Sequence, residues 1–216
     1  MNEKTVDTAG MRKAEDDASA AGISKLLMME NAGRAVAAVV SRLFDPSLKP
    51  SVLIVAGTGN NGGDGAAAAR HLDGKATLTV VLLGRRESVK TEEASLQWRV
   101  LASMKGVRAL EVVWKSDMRG ARPFFASSSV IIDAILGTGV RGTIGEPHAS
   151  AIRMINESKS LRVAVDIPSG LDPDTGEDHG LVVKADVTVT LHAAKPGTLK
   201  RSDVVGKLLV EGIGIP

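Results

Sequence analysis

Residues 51–72 constrain this chain more than any other stretch. An apolar run over 52–56 (VLIVA) meets the block Gly57-Thr58-Gly59-Asn60-Asn61-Gly62-Gly63-Asp64-Gly65. Ala66-Ala67-Ala68-Ala69-Arg70-His71-Leu72 follows at once. A continuous apolar run, rather than an alternating one, suits a parallel strand buried on both faces. Four successive alanines favour a helix. Between the two, glycines let the backbone take positive φ and approach a ligand closely. The unpaired N–H groups of the first helical turn then face the crevice. The block is expected to form one wall of a binding site.

The rest of the chain repeats that alternation. Helical spacing predicts helices over 11–21 and 24–43, the second capped by Ser24 and closed by Pro46 and Pro50. Further strands are expected over 75–83, 107–113, 130–133, 162–166, 185–191 and 207–210, with helices over 92–104 and 147–156. Strands alternating with helices imply a three-layer, Rossmann-like α/β fold. Its central sheet is mostly parallel, joined by right-handed crossovers and covered by helices on both faces. The two N-terminal helices lie outside the alternation, as an extension that packs on the sheet, caps it or mediates dimerisation. At 216 residues the length fits one domain.

Composition narrows the function classes. With 27 basic against 25 acidic side chains, the net charge of +2 gives no reason to expect nucleic acid or an anionic membrane. Aromatic residues make up 2% and tyrosine is absent, which argues against base stacking. There is no cysteine, so thiol nucleophiles, thiolate metal sites and disulfides are excluded. No apolar run is long enough to span a bilayer, and residues 1–10 are polar, so cytoplasmic residence is expected.

In an open α/β sheet, ligands bind beyond the carboxyl ends of the strands. Three polar loops belong there: 57–64, 133–143 and 166–172. Gly57-x-Gly59-x-x-Gly62 matches the form of a dinucleotide fingerprint, but strand 75–83 runs into Gly84-Arg85-Arg86 instead of ending in the acid that grips a ribose. Asp64 also stands near the helix start, where a phosphate would rest. It either caps the helix or serves the site. Asn60 and Asn61 are seldom both needed for a turn. The second loop, Gly137-Thr138-Gly139-Val140-Arg141-Gly142-Thr143, offers Arg141 to a phosphate. Asp133 lies in an apolar strand end and needs a cation or N–H groups as partner. Asp166, ending a strand, suits general acid–base work, with a capping role as its alternative. Asn61, Asp133 and Ser169 offer oxygen atoms from all three loops, which suits an alkali or alkaline-earth ion. Lys195 either reaches the same edge or is a solvated loop charge, the commoner fate of a loop lysine. Met28 and Met29 read as packing residues.

Four segments carry a resemblance. They are Leu27-Met28-Met29-Glu30-Asn31-Ala32-Gly33, Gly59-Asn60-Asn61-Gly62-Gly63-Asp64-Gly65, Asp133-Ala134-Ile135-Leu136-Gly137-Thr138-Gly139 and Val165-Asp166-Ile167-Pro168-Ser169-Gly170-Leu171-Asp172. In this order they resemble the YjeF N-terminal domain family of NAD(P)H-hydrate epimerases. The run 185–190, with Lys195 and Gly197, adds to the likeness.

The resemblance implies an isomerase that repairs nicotinamide cofactors by interconverting the R and S forms of hydrated NADH and NADPH. It implies that Asn60, Asn61, Gly62, Gly63, Asp64 and Gly137, Thr138, Gly139, Val140, Arg141, Gly142 and Thr143 hold the dinucleotide. Asp166 would contact the damaged ring and carry the proton chemistry. Asn61, Asp133 and Ser169 would bind a potassium ion. The family domain is often fused ahead of an ADP- or ATP-dependent dehydratase, and residues 212–216 resemble that junction. A homodimer through the N-terminal helices is expected. Two rival readings share the fold. An ordinary nicotinamide-dependent oxidoreductase lacks its acid here, and a non-catalytic scaffold module would be expected to lose the site residues that this chain keeps.

Overall fold

The strands that the apolar runs predict all pair into one sheet. The computed structural model describes residues 5–139 and 142–216. Seven strands, β1 (Ser51–Ala56), β2 (Thr77–Leu83), β3 (Val107–Val112), β4 (Val130–Ala134), β5 (Leu161–Val165), β6 (Val187–Leu191) and β7 (Lys207–Glu211), lie in the order β3-β2-β1-β4-β5-β6-β7. Every pairing is parallel, so the mostly parallel expectation becomes an entirely parallel sheet among the described residues. The order reverses between β1 and β4, whose registers run Val52↔Val130 to Ala56↔Ala134. That reversal opens a crevice at their carboxyl ends.

Side chains alternate across the sheet with the two-residue period of a strand. Val52, Ile54, Val80, Leu82 and Ile132 face α2 (Lys25–Arg42), α3 (Asn60–Leu72) and α4 (Glu92–Ala102), meeting Val36, Val40, Leu72 and Trp98. Leu53, Val55, Val81 and Ile131 face α5 (Met118–Ser127) and α6 (His148–Glu157), meeting Phe125, Ile152 and Ile155. The helix starts are set locally. Ser24 Oγ accepts from Leu27 N–H at 3.2 Å and Thr91 Oγ1 from Ala94 N–H at 3.3 Å. The periodicity above assigns nothing to α5, which carries Gly120 and Pro123 against helix propensity. Burial of Met118, Ala121 and Phe125 on one face outweighs that.

The N-terminal extension is a structural cap. In α1 (Thr8–Ala20), Asp7 accepts from Gly10 N–H at 2.7 Å. Met11 and Ala18 pack against Met28, Ala32, Leu191 and Ile213. The chain before α1 bridges Thr5 to Ala194 in parallel, and Val6 N–H donates to Ala194 O at 2.9 Å. Two short helices, α7 (Pro196–Lys200) and α8 (Ser202–Val205), connect β6 to β7.

The glycine block differs from its expected form. Helix α3 starts at Asn60 with Gly59 as its cap, so Asn60 to Gly65 are already helical. Asp64 is therefore inside the helix and does not cap it. None of Gly57, Gly59, Gly62, Gly63 and Gly65 has positive φ. Space is what demands them: a Cβ on Gly62 would lie 1.8 Å from Gly57 O, and one on Gly57 would lie 2.1 Å from Ile135 O.

Helix α2 crosses α3 with the same intimacy, since a Cβ on Gly33 would sit 2.3 Å from Ala67 Cβ and 2.7 Å from Ala68 N. Gly33→Ala is expected to destabilise by up to about 2 kcal/mol net, because overpacking against backbone, at up to about 3 kcal/mol, exceeds the helix-propensity gain of about 1 kcal/mol. Gly120→Ala, with nothing within 4 Å of the new methyl, is expected to stabilise by about 0.5–1 kcal/mol. Denaturant melts of both variants check the opposite signs.

Candidate active site

The crevice at the carboxyl ends of β1 and β4 is a cavity of ≈ 470 Å³. Its walls come from the three loops expected from sequence and from α1 and α2, which sequence did not place there. Thr58, Gly59, Asn60, Asn61 and Asp64 line it after β1, Ile135 to Gly139 after β4, and Asp166 after β5. Met11, Arg12 and Glu15 of α1, Lys25, Met28, Met29 and Ala32 of α2, and Lys90, Thr91, Glu93, His148, Leu191 and Ile213 complete it.

Asp133, Ser169 and Asn61 do come together. Asp133 and Ser169 are fully buried, and Asn61 is nearly so. Ser169 donates twice to the Asp133 carboxylate, from Oγ at 2.6 Å and from its backbone N–H at 2.8 Å; Ile135 N–H adds a third bond at 3.2 Å. Asn61 Nδ2 donates to Leu136 O at 3.1 Å, and Leu136 N–H donates to Ser169 Oγ at 2.9 Å. These bonds tie the exits of β1, β4 and β5. Burial pushes the Asp133 carboxyl up to about 6, against the pull of the Ser169 hydrogen bonds. Among the described residues no group of three His, Cys, Asp or Glu side chains is placed to hold a metal. The oxygen cluster therefore offers one carboxylate surrounded by neutral oxygens.

Asp166 follows the last residue of β5 with φ 66°, a left-handed angle that a non-glycine residue adopts only when its surroundings enforce it. Those surroundings are the neighbouring strand: Asp166 N–H donates to Val189 O at 2.8 Å, and Leu191 N–H donates to Asp166 Oδ1 at 3.1 Å. Lys195 is the partner that sequence reasoning underrated. It is fully buried, not solvated, and its Nζ donates to Asp166 Oδ1, Leu191 O (2.8 Å) and Thr190 Oγ1 (3.2 Å). With Thr190 Oγ1 at 3.4 Å, every described donor to this carboxylate reaches Oδ1 and none reaches Oδ2. The side chain keeps 14% exposure, toward the cavity that it lines. A buried ammonium with three acceptors is the chemistry that makes such burial tolerable.

The remaining expected residues divide. Asn60 lines the cavity and accepts from Thr91 Oγ1 at 2.7 Å. Gly59 caps α3 with no side-chain bond, leaving the first N–H groups of a 13-residue helix beside the cavity. Asp64 is buried, and burial, with the charges of Asp166 and Glu15, pushes its carboxyl well above the usual range. Gly62 and Gly63 lie in the packed interior rather than on the wall, Gly63 against Met29 Sδ. Gly137, Thr138 and Gly139 line the cavity; Gly142 and Thr143 are exposed outside it; Val140 and Arg141 lie outside the described residues. Met28 and Met29 are packing residues as expected, and also wall. Sequence reasoning missed Glu15, Lys90 and His148, which stand in elements whose place at this edge has no local signature.

A family model described as "YjeF-related protein N-terminus" matches residues 25–197. The NAD(P)H-hydrate epimerase of Nitrosopumilus maritimus is 46% identical over 99% of this chain and 96% of its own length. A bifunctional NAD(P)H-hydrate repair enzyme of Pyrobaculum aerophilum is 43% identical over 99% of this chain, which spans 42% of that protein. The crystal structure of the yeast protein ynu0 superposes with a TM-score of 0.85 at 27% identity, covering 99% of this chain and 90% of that one. The loops that meet in the cavity fall inside the matched span, and the chain belongs to the YjeF N-terminal domain family.

Proposed function

We propose that this chain is an NAD(P)H-hydrate epimerase, an isomerase that interconverts the R and S forms of hydrated NADH and NADPH. The observation that carries the reading is the Asp166 carboxylate at the cavity wall, with Lys195 on one oxygen and the other free of described donors. Hydration leaves a hydroxyl at C6 of the nicotinamide ring, next to N1. Inverting that carbon requires reversible ring opening or loss of the hydroxyl. Each route moves a proton at the C6 oxygen or at N1. Asp166 is the proposed general acid–base there, acting through Oδ2, a role worth about 10²–10⁴-fold in rate.

The nucleotide reading rests on helix α3. Its uncapped N–H groups beside Asn60 and Asn61 suit a phosphate, with Gly137, Thr138 and Gly139 on the facing wall. An ordinary hydride-transferring oxidoreductase is disfavoured, because β2 ends at Leu83 and runs into Gly84-Arg85 with no acid for the ribose. A non-catalytic scaffold role is disfavoured by the retained Asp166–Lys195 pair.

Asn61, Asp133 and Ser169 are the proposed holders of a potassium ion. The single buried carboxylate among neutral oxygens fits a monovalent, oxygen-seeking ion better than a divalent one. When bound, the ion would supply positive charge that offsets Asp133 and holds the three loop exits in register. Coupling to a dehydratase that consumes the S form is supported by the bifunctional relatives. A single domain over residues 1–216 is supported by the one continuous sheet. Homodimerisation through the N-terminal helices is supported by the exposed Leu27 of α2. A cytoplasmic location agrees with the finding that no helix among the described residues is long and apolar enough to cross a membrane.

Purified R-NADPHX should be converted to the S form faster than it epimerises unaided, as followed by chromatography. An unchanged rate would sink the proposal. Asp166→Asn, if it melts like the parent, should lose at least about 100-fold in kcat; retention of the full rate excludes Asp166 as the acid–base. Potassium chloride, compared with tetramethylammonium chloride at equal ionic strength, should raise both Tm and rate. Asp133→Asn should abolish both increments, and identical behaviour in the two salts removes potassium from the site.

A further inference from the structure

Glu15 is a carboxyl of the cavity with no assignment so far. Glu15 belongs to α1, outside the residues that the family model matches. It lines the cavity together with Asp64 and Asp166. Met11, Glu15 and Ala18 fall at i, i+4 and i+7, on one face of the helix. Met11 and Ala18 anchor that face on Met28, Leu191 and Ile213. The anchoring reaches the chemistry directly. The segment before α1 is hydrogen-bonded to Ala194, the residue before Lys195, and Thr8 N–H is held by Asp174 Oδ1 at 2.8 Å. Helix α1 is thus fastened to the backbone that presents Lys195 to Asp166.

Glu15 forms no ion pair and no hydrogen bond with a described residue. Its neighbour Asp16 takes the nearby Lys25, at 3.0 Å, and Lys195 is spent on Asp166. With Glu93, four carboxyl groups therefore line one cavity, beside a single buried ammonium.

We propose that Glu15 is the second proton-transfer residue of the epimerisation, acting as the acid at N1 while Asp166 acts as the base at the C6 hydroxyl. The inference rests on the epimerase reading above. In the ring-opening route, Asp166 takes the hydroxyl proton and the freed pair forms the C6 carbonyl. The N1–C6 bond breaks with its electrons to N1, and N1 takes the Glu15 proton. Rotation of the aldehyde presents its other face. Reclosure then returns the N1 proton to Glu15 and the Asp166 proton to the C6 oxygen, so no oxidant, reductant or co-reactant is consumed. The environment of Glu15 suits the donor half. Partial burial and the negative charge of Asp166 raise its carboxyl above the ordinary range, with Asp16 adding to the shift and Lys25 and Lys195 opposing it. Asp64, from α3, faces the same group.

The test is kinetic. Glu15→Gln keeps the shape and removes the proton. With R-NADPHX it should lower kcat about 100-fold, leave KM within about two-fold, and flatten the limb of the kcat–pH profile that falls as pH rises. Glu15→Asp should restore part of the rate. Asp17→Asn, exposed on the same helix, should match the parent, and thermal melts should show all three variants folded. A Glu15→Gln kcat within three-fold of the parent, or a loss confined to KM, overturns the proposal. Should Glu15→Gln fail to fold, Glu15→Asp decides: an unchanged kcat and pH profile overturns it, and a lowered kcat with a displaced limb supports it. A parent protein that does not accelerate R/S exchange overturns the epimerase reading itself, and is told apart because the failure precedes any substitution.

Discussion

Contact between backbones where β1 and β4 end is the constraint on which the rest of the site depends. Gly57 lies so close to Ile135 O, and Gly62 to Gly57 O, that no side chain fits between them. This approach brings the start of α3 against the exit of β4, so Asn61 can reach Leu136 O. Leu136 in turn donates to Ser169 Oγ, and Ser169 holds Asp133 with both its hydroxyl and its amide. One chain of short contacts therefore locks three strand exits into a single rim. Close packing transmits such constraints because interiors hold little free volume.

The opposite end of the cavity is held by charge. A buried ammonium on Asp166 Oδ1 fixes the carboxylate at an angle that a non-glycine residue would not choose, and leaves Oδ2 toward the cavity without a described donor. The strain is borne by the register of β5 against β6, through Asp166 N–H to Val189 O and Leu191 N–H to Oδ1. Residues placed so are candidates for chemistry, because the surrounding structure has to over-determine them. Helix α1, tied to the backbone at Ala194, closes this end and brings a further carboxyl to it.

Much of this was legible in the chain. Apolar runs located all seven strands within two residues, since a buried parallel strand needs no polar face. The sixth, predicted from 185, starts at Val187. The same alternation yielded the layered sheet. The three loops after β1, β4 and β5 could be named because sheets of this class bind ligands at their carboxyl edge. Two local readings failed for definable reasons. The glycine block reads as a loop of unusual φ, whereas Gly62, Gly63 and Gly65 are helical, and none of its glycines has positive φ; they serve close approach. Helix α5 was invisible because Gly120 and Pro123 oppose the burial that forms it.

What the sequence determined by itself was the order of elements, the sheet edge at which the polar loops gather, and the placing of Asn61, Asp133, Asp166 and Ser169 at that edge. Residue type and local period suffice for those. What only the tertiary structure decided was the pairing of Lys195 with Asp166, across 29 positions, and the arrival of Glu15 in the same cavity from a helix outside the alternation. Neither has a local pattern. A lysine that follows a strand looks the same whether it ends in water or on a buried carboxylate. The strand order, which places β5 beside β6 and ties α1 to residue 194, makes the difference.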